Sequence, residues 1–202
     1  WPVLEVPGIE ADDTIGTLAR RGAELGFKVV ISTGDKDMAQ LVNPQVSLVN
    51  TMTNEALDEA GVLGKFGVPA SRIVDYLTLV GDTVDNVPGV EKVGPKTEVK
   101  WLAEHDSLDG VIAAASTIKG VAGENLRKAL DWLPTSRQLL TIKTDCDLGG
   151  WVEGLPRLDA ETPCDRVGQV LAAHRHFAGE AADVVPQDVD ARLGRTDVDQ
   201  RH

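Results

Sequence analysis

The chain has 202 residues, of which 42% are hydrophobic, and its formal net charge is -12 at pH 7. This length suffices for one substantial hydrophobic core. The negative charge argues against indiscriminate nucleic-acid binding, because the field of the whole molecule repels a polyanion, so any DNA contact has to be local. No apolar run approaches a membrane span and no signal peptide is recognisable, so we expect a cytoplasmic protein that does not contact a membrane.

The first quarter of the chain alternates between strand and helix patterns. A short strand is predicted at residues 3–6, a helix of 3.6-residue periodicity at 10–25, and a strand covered on both faces at 28–32. A short helix at 36–41 and a strand at 46–50 continue the alternation. This order predicts an α/β fold with an open, mostly parallel sheet.

Beyond residue 51 the pattern predicts helices only, separated by glycine and proline. They are expected near residues 58–66, 71–80, 96–104, 108–115, 124–133, 136–143 and 165–177. Residues 182–202 are polar and acidic without periodicity, and are expected to be disordered. The predicted organisation is therefore a partial α/β core at 1–54, a helical region at 55–148 and a C-terminal extension at 149–202.

Acidic side chains form three clusters, at residues 10–13, 35–37 and 82–85. The clusters contain Glu10, Asp12, Asp13, Asp35, Asp37, Asp82 and Asp85. The first two fall where the ligand crevice of an open parallel sheet lies, outside the carboxyl ends of its strands. Each pair of carboxylates about 6 Å apart would repel by roughly 3 kcal/mol at an effective dielectric constant near 20. A pocket that gathers them is therefore costly without cations.

Such a pocket suits Mg²⁺ or Mn²⁺, which bind mainly through carboxylates and water. Two such ions can stabilise both the attacking and the leaving oxygen of a phosphodiester displacement. Taken singly, each cluster is better explained by acids that complement a helix dipole or hydrogen-bond within a turn. Three clusters at matched ends of elements favour a two-metal site for phosphoryl chemistry, and the absence of His and Cys from them argues against zinc.

A glycine-punctuated turn at residues 86–97 follows the third cluster. It approaches a nucleotide-binding P-loop, but Pro95 interrupts the spacing and the preceding segment is a predicted helix, so an ATP site is rejected. Pro95 at a first helical position leaves backbone amides that can bind a DNA phosphate, and Lys96 and Lys100 lie one turn apart. An ordinary turn followed by a solvated basic helix face explains these residues equally well.

The order of these motifs resembles the 5′-3′ exonuclease (flap endonuclease-like) domain of bacterial DNA polymerase I. The resemblance covers about residues 3–148 and is carried by VPGIEADD at 6–13, STGDKDMAQL at 32–41, GDTVDNVPGV at 81–90 and TIKTD at 141–145. It implies a PIN-like sheet followed by a helix-hairpin-helix, and two-metal hydrolysis of DNA at a 5′ end, nick or flap, as in primer removal and repair. It also implies a nucleoid-associated protein fused to, or acting beside, a DNA polymerase.

The resemblance assigns roles by position. It implies that Asp12, Asp13, Asp35 and Asp37 are catalytic and that all seven acids of the three clusters bind metal. It places DNA contacts in the helix-hairpin-helix, at Gly89, Val90, Lys92, Gly94, Lys96, Thr97 and Lys100. In the family the hairpin can also hold K⁺ through backbone carbonyls.

The chain departs from the family pattern in three places. The family's domain begins upstream with an Asp-bearing strand and a basic arch, so a chain that starts at Trp1 is expected to be a fragment. Pro95 and Glu98 replace the usual Glu and Ala of the hairpin, which predicts weaker phosphate contact. The aromatic and basic residues expected near the end of the domain are replaced around residues 176–182.

Two alternatives remain at this point. A DNA-binding remnant that keeps the hairpin and part of the metal site, but does not cut, would also carry these motifs. A haloacid-dehalogenase-type phosphatase could use Asp35, Asp37, Asp82 and Asp85, but it leaves the first cluster unexplained and expects Thr or Val where Ala39 stands.

Overall fold

A computed structural model of the chain describes residues 3–149 and a strand at residues 170–172. The described helices are α1 (Ala11–Glu24), α2 (Glu59–Phe66), α3 (Ile73–Val80), α4 (Pro95–His105), α5 (Leu108–Ala113), α6 (Gly120–Ala129) and α7 (Leu133–Leu140). Short 3₁₀ helices cover Asp37–Leu41 and Ala70–Arg72. The strands are β1 (Val29–Ser32), β2 (Val46–Asn50), β3 (Glu55–Leu57), β4 (Gly81–Asp82), β5 (Val87–Pro88) and β6 (Val170–Ala172).

The main sheet has the strand order β3-β2-β1-β6. Strand β1 runs parallel to both β2 and β6, whereas β3 runs antiparallel to β2. Ile31 in β1 lies opposite Leu48 in β2, and both side chains are buried, as expected for strands covered by other elements. This open, mostly parallel sheet confirms the predicted α/β class.

Helix α1 covers part of this sheet. Its buried residues Ile15, Leu18 and Ala19 recur at the spacing of one helical face. Gly22 lets the helix approach β1 closely, because a Cβ there would lie 3.0 Å from Val29 Cγ2. The packing holds the acidic first turn of α1 in a fixed place relative to the sheet.

One cluster of buried apolar side chains continues from the sheet into the helical region. It includes Ile31 and Leu48 from the strands, Leu77 from α3, Leu126 from α6 and Leu133 from α7. Full burial of each such side chain contributes about 1.5–3 kcal/mol. Helix α3 is therefore anchored in the core up to its end, where the third acidic cluster begins. No helix in the described part of the chain combines the length and apolar character needed to cross a membrane.

Several sequence predictions differ from the structure. Residues 3–6 form no strand. Strands β3, β4 and β5 lie in the region predicted as helices only, and β3 pairs with β2 although the predicted boundary at residue 54 separates them. Asn54 has a φ of 59° and Asn50 accepts hydrogen bonds from the amides of Met52 and Thr53, so the chain reverses between β2 and β3.

Two further differences concern helices predicted in the C-terminal part: one ends earlier than predicted and the other contains a strand. The helix predicted at residues 136–143 ends at Leu140, because the amides of Ile142 and Lys143 donate to the side chains of Gln40 and Asp13 instead of continuing the helix. Strand β6 lies inside the helix predicted at 165–177, since a short apolar run does not distinguish a strand from a buried helix. The rest of that range and the tail at 182–202 lie outside the described residues.

Candidate metal centre

Three carboxylates converge beside the main sheet. Asp37 begins the 3₁₀ helix that follows β1, Asp82 ends β4, and Asp85 lies in the turn between β4 and β5. One carboxylate oxygen of each lies within 4.8 Å of the other two. Asp37 and Asp82 are only 5% and 1% exposed, whereas Asp85 is exposed. The group is therefore open to solvent on one side, as suits an ion that keeps several water ligands.

The protein alone gives the Asp37 carboxylate too few hydrogen bonds and compensating charges. Burial, with the added charges of Asp35 and Asp82, raises the pKa of Asp37 from 3.8 to about 7, although Lys36 opposes the rise. Its Oδ1 is buried and has no hydrogen-bond partner. Buried polar atoms are nearly always paired, so an orphaned carboxylate oxygen beside two further carboxylates fits a cation site.

Asp82 holds its charge more readily than Asp37. Burial alone would raise the pKa of Asp82, but that pKa is lowered because the Val84 amide and Lys36 favour the carboxylate. The Val84 amide donates to Oδ1 at 2.8 Å, and Lys36 Nζ lies 3.3 Å from Oδ2. Within the pair, Asp37 therefore carries the proton and Asp82 the charge. Lys36 carries no functional signal in the sequence, since a lysine between two acids is unremarkable as a pattern.

The second acidic cluster owes its shape to a local turn. Thr33 Oγ1 accepts from the Asp35 amide at 3.0 Å, and Asp35 Oδ1 accepts from the Asp37 amide at 3.0 Å. These bonds replace strand pairing after β1 and turn the chain into the 3₁₀ helix. The turn places Asp35 close enough for its charge to raise the pKa of Asp37.

The first acidic cluster is placed differently. Among residues 3–149, Glu10, Asp12 and Asp13 are not part of the three-carboxylate group, and neither is Asp35. Both oxygens of Asp13 contact Lys143: the backbone amide donates to Oδ1 at 2.8 Å, and Nζ lies 3.6 Å from Oδ2. The structure thus brings together three of the seven predicted metal acids.

The glycine turn is joined directly to the third acidic cluster. In the β4–β5 hairpin, Asp82 pairs with Val87 and Gly81 pairs with Pro88. Gly89 lies against the end of α3, where a Cβ would overlap the carbonyl group of Val80. Only glycine allows this approach of two backbones. The turn is therefore fixed relative to Asp82.

Replacing Gly89 by Ala is expected to lower the free energy of unfolding by roughly 2–3 kcal/mol, because the clash is with backbone rather than with a movable side chain. At Gly94 an added Cβ meets no atom within 4 Å, so Gly94→Ala is the matched control, with an expected loss below about 1 kcal/mol. Urea unfolding measures both. Equal losses at the two positions would show that the contact of Gly89 with Val80 is not tight.

Two side chains that the sequence did not single out for function support the hairpin. Trp132 Nε1 donates to the Pro88 carbonyl at 2.8 Å, and Asn125 Nδ2 donates to the Glu91 carbonyl at 2.8 Å. Val90 is buried, so its side chain serves packing. No local pattern marks Asn125 or Trp132, since each bond joins residues more than 30 positions apart.

The predicted DNA-contacting lysines lie on the surface. Lys92, Lys96 and Lys100 are exposed, and Thr97 is half-buried. Lys92 Nζ lies 3.7 Å from Glu91 Oε1 and Lys100 Nζ lies 3.7 Å from Glu104 Oε1, both as exposed pairs. Exposed pairs of this kind contribute little stability, so these ammonium groups can exchange partners readily.

Comparisons with known proteins agree with this architecture. Residues 1–67 match the family described as 5′-3′ exonuclease, N-terminal resolvase-like domain, and residues 68–162 match 5′-3′ exonuclease, C-terminal SAM fold. The chain is 49% identical over 159 residues to DNA polymerase I of Pseudomonas aeruginosa, covering 73% of this chain and 17% of that protein. It is 42% identical over 147 residues to the 5′-3′ exonuclease of Aquifex aeolicus, covering 73% of this chain and 50% of that protein.

Solved structures share the fold. Bacteriophage T5 5′-exonuclease, described with divalent metal ions (zinc) bound, aligns with a TM-score of 0.66 at 22% identity over 71% of this chain and 54% of that one. A T5 flap endonuclease in a pseudo-enzyme-product complex with DNA and metal ions aligns with a TM-score of 0.66 at 21% identity, again over 71% and 54%. These likenesses confirm the predicted PIN-like α/β fold. Together with the two family matches, which cover residues 1–162, they show that the chain belongs to the 5′-3′ exonuclease family.

Proposed function

We propose that this chain carries the metal centre and the DNA-gripping hairpin of a 5′-3′ exonuclease or structure-specific 5′-flap endonuclease that hydrolyses DNA phosphodiesters. The observation that carries the proposal is the convergence of Asp37, Asp82 and Asp85, with one orphaned buried oxygen, in a member of this family. Because the donor set contains oxygen alone, it suits Mg²⁺ or Mn²⁺ better than ions that prefer thiolate or imidazole.

We assign one ion to Asp37, Asp82 and Asp85, and the second to Asp35 with Glu10 and Asp12 from the start of α1. When bound, such ions activate water and stabilise the leaving oxygen of the phosphodiester. Asp37 has to release its proton before it can bind a cation, so ion affinity should rise with pH through about 7. Lys36 stays beside Asp82 and limits the negative charge of the centre.

DNA binding is proposed at the hairpin and the start of α4. The open space at Gly94 and the exposed Lys96 and Lys100 leave room and charge for a phosphate at a positive helix end. Hairpin carbonyls are the groups that would hold K⁺, and those of Pro88 and Glu91 are held in place by Trp132 and Asn125. We extend the proposal to a nick or 5′ flap as the substrate and to a polymerase as neighbour or fusion partner, because this chain spans 17% of its Pseudomonas relative, which is named DNA polymerase I.

The test is cleavage of a 5′-labelled flap duplex by the 202-residue chain and by the chain extended upstream in its reading frame, with Mg²⁺, Mn²⁺ or chelator. We expect cleavage only with a divalent ion. Asp85→Asn should reduce the rate by about 100-fold or more, equivalent to about 2.7 kcal/mol. Asp85 suits this test because it is exposed, so its replacement should not disturb folding, and the exposed Asp131→Asn is the matched control.

The outcomes separate two functions. Cleavage that requires the ion and Asp85 supports the nuclease. DNA bound but cut by neither chain would favour the non-catalytic DNA-binding remnant, whereas cleavage that survives Asp85→Asn would place the ions elsewhere.

A further inference from the structure

One motif that carries the family resemblance, TIKTD at residues 141–145, has no role in the proposed site. After α7 ends, residues 141–146, which we term the strap, cross the surface of α1. Gly16 marks the crossing, because a Cβ there would lie 2.6 Å from Ile142 Cγ2 and 3.1 Å from the Lys143 carbonyl oxygen. The strap therefore rests on the backbone of α1, the helix whose first turn carries the first acidic cluster.

Polar bonds fasten the strap along one face of α1. Asp13 accepts from the Lys143 amide at 2.8 Å, and Thr17 Oγ1 accepts from the Cys146 amide at 3.2 Å. Arg20 Nε donates to the Thr144 carbonyl at 2.6 Å. Positions 13, 17 and 20 lie one above another on a helix, so the three bonds act on a single stripe.

Gln40 fastens the strap to the element that carries Asp37. Its Nε2 donates to the Asp37 carbonyl at 2.9 Å and to the Leu140 carbonyl at 3.0 Å. Its Oε1 accepts from the Ile142 amide at 3.0 Å. One side chain thus binds the 3₁₀ helix of Asp37, the last residue of α7 and the beginning of the strap.

We propose that Gln40 and the strap are positioning elements that hold Asp37 at a fixed separation from the first turn of α1, and that Asp13 anchors the strap instead of ligating an ion. The inference rests on the proposed metal centre. Asp13 is 9% exposed and both of its oxygens contact Lys143. An ion at Asp13 would have to displace these contacts, whereas Asp37 has a buried oxygen without a hydrogen bond.

The first test measures Mn²⁺ binding to the full chain by the electron paramagnetic resonance signal of free Mn²⁺. Gln40→Leu removes the three hydrogen bonds at nearly constant volume, and Gln138→Leu on the exposed face of α7 is the matched control. Loss of groups that orient metal ligands typically weakens metal binding by about 10–100-fold. We expect a loss of at least tenfold for Gln40→Leu and no change for Gln138→Leu, at a temperature where circular dichroism shows both variants folded.

The second test compares two replacements of Asp13. Asp13→Asn keeps an oxygen that can accept from the Lys143 amide, whereas Asp13→Ala does not. We expect Asp13→Asn to keep Mn²⁺ affinity within about threefold, and Asp13→Ala to weaken it as strongly as Gln40→Leu does. Asp85→Asn serves as the reference for loss of a ligand. This comparison shows whether Asp13 anchors the strap or ligates an ion, even if Gln40→Leu does not fold.

Failure of the proposed metal centre and failure of the positioning role give different results. If the unaltered chain binds no Mn²⁺, the proposed metal centre fails and the inference falls with it. If the unaltered chain binds Mn²⁺ but Gln40→Leu behaves like Gln138→Leu, the centre stands and the positioning role is overturned. The same holds if Asp13→Asn loses Mn²⁺ as Asp85→Asn does, because Asp13 is then a ligand.

Discussion

In metal-free buffer, Asp37→Asn is expected to raise the melting temperature strongly at pH 8 and much less at pH 5. The pKa of Asp37 is raised from 3.8 to about 7. Between these values the folded chain keeps a proton that the unfolded chain has released, so stability falls as pH rises from 3.8 to about 7 and changes little above that. An Asn side chain has the shape of Asp but no charge, so the Asp37→Asn protein does not lose this stability as pH rises. A shift of about 3 units sets an upper limit of roughly 4 kcal/mol, which the opposite shift of Asp82 reduces.

A divalent ion should narrow the difference in stability between the two proteins at pH 8. With Mg²⁺ at about 100 times its dissociation constant, the unaltered chain gains about 2.7 kcal/mol because the ion binds only the folded state. Asp37→Asn should gain little. Thermal unfolding followed by circular dichroism at pH 5 and pH 8, with Mg²⁺ or with chelator, measures all four conditions, and Asp131→Asn serves as control. An equal change at both pH values would show that Asp37 carries no shifted proton.

Replacing Glu98 by Met is expected to stabilise the protein, most strongly above pH 8. Glu98 lies in α4, is 0% exposed, and neither of its oxygens has a hydrogen-bond partner. Burial raises the pKa of Glu98 from 4.5 to about 8. The pKa of Tyr76 is also raised, mainly by burial and further by the charge of Glu98, which places the two side chains near each other.

Proton binding by Glu98 makes the stability of the folded chain depend on pH. The folded chain holds a proton on Glu98 between pH 4.5 and about 8 that the unfolded chain releases, so stability falls as pH rises over that range. Met fills a similar volume without a charge, and the gain at pH 9 should approach about 5 kcal/mol at most. At pH 6 the gain should be smaller, about 1–3 kcal/mol, because only the first part of this pH range has been crossed.

Urea unfolding at pH 6 and pH 9 measures the Glu98→Met effect. Glu104→Met on the same helix is the matched control, because the Glu104 side chain is 52% exposed and should show no such dependence on pH. A loss of stability with Glu98→Met at pH 9 would mean that the carboxylate has a stabilising partner in solution.

Much of the fold follows from local patterns in the sequence. Helix α1 and strands β1 and β2 were predicted within one or two residues of their bounds, because their apolar residues repeat with the period of one buried face or form an uninterrupted buried run. Strands β4 and β5 have two residues each, too few for any period to show. The fold class was therefore predictable, whereas the small hairpin that presents Asp82 was not.

In the candidate site, too, local patterns reveal some features, whereas others depend on tertiary packing. The three acidic clusters were visible, but the gathering of Asp37 with Asp82 and Asp85 depends on how α3 packs. The bond between Gln40 and Ile142 joins residues 102 positions apart, and no local signal encodes such a contact. Burial of Glu98 was also missed, since a glutamate beside Lys96 and Lys100 is typical of a solvated helix face.

The contact of Gly89 with Val80 fixes the distance between the DNA-binding hairpin and the metal-site carboxylates of the proposed enzyme. No flexible linker separates the hairpin from Asp82, because Gly81 and Gly89 meet backbone to backbone and the Val90 amide donates to the Leu79 carbonyl at 2.8 Å. A phosphate gripped at the start of α4 would therefore stand a constant number of nucleotides from the carboxylates. The position of the cut along a strand would then be set by length alone, whatever bases the strand contains.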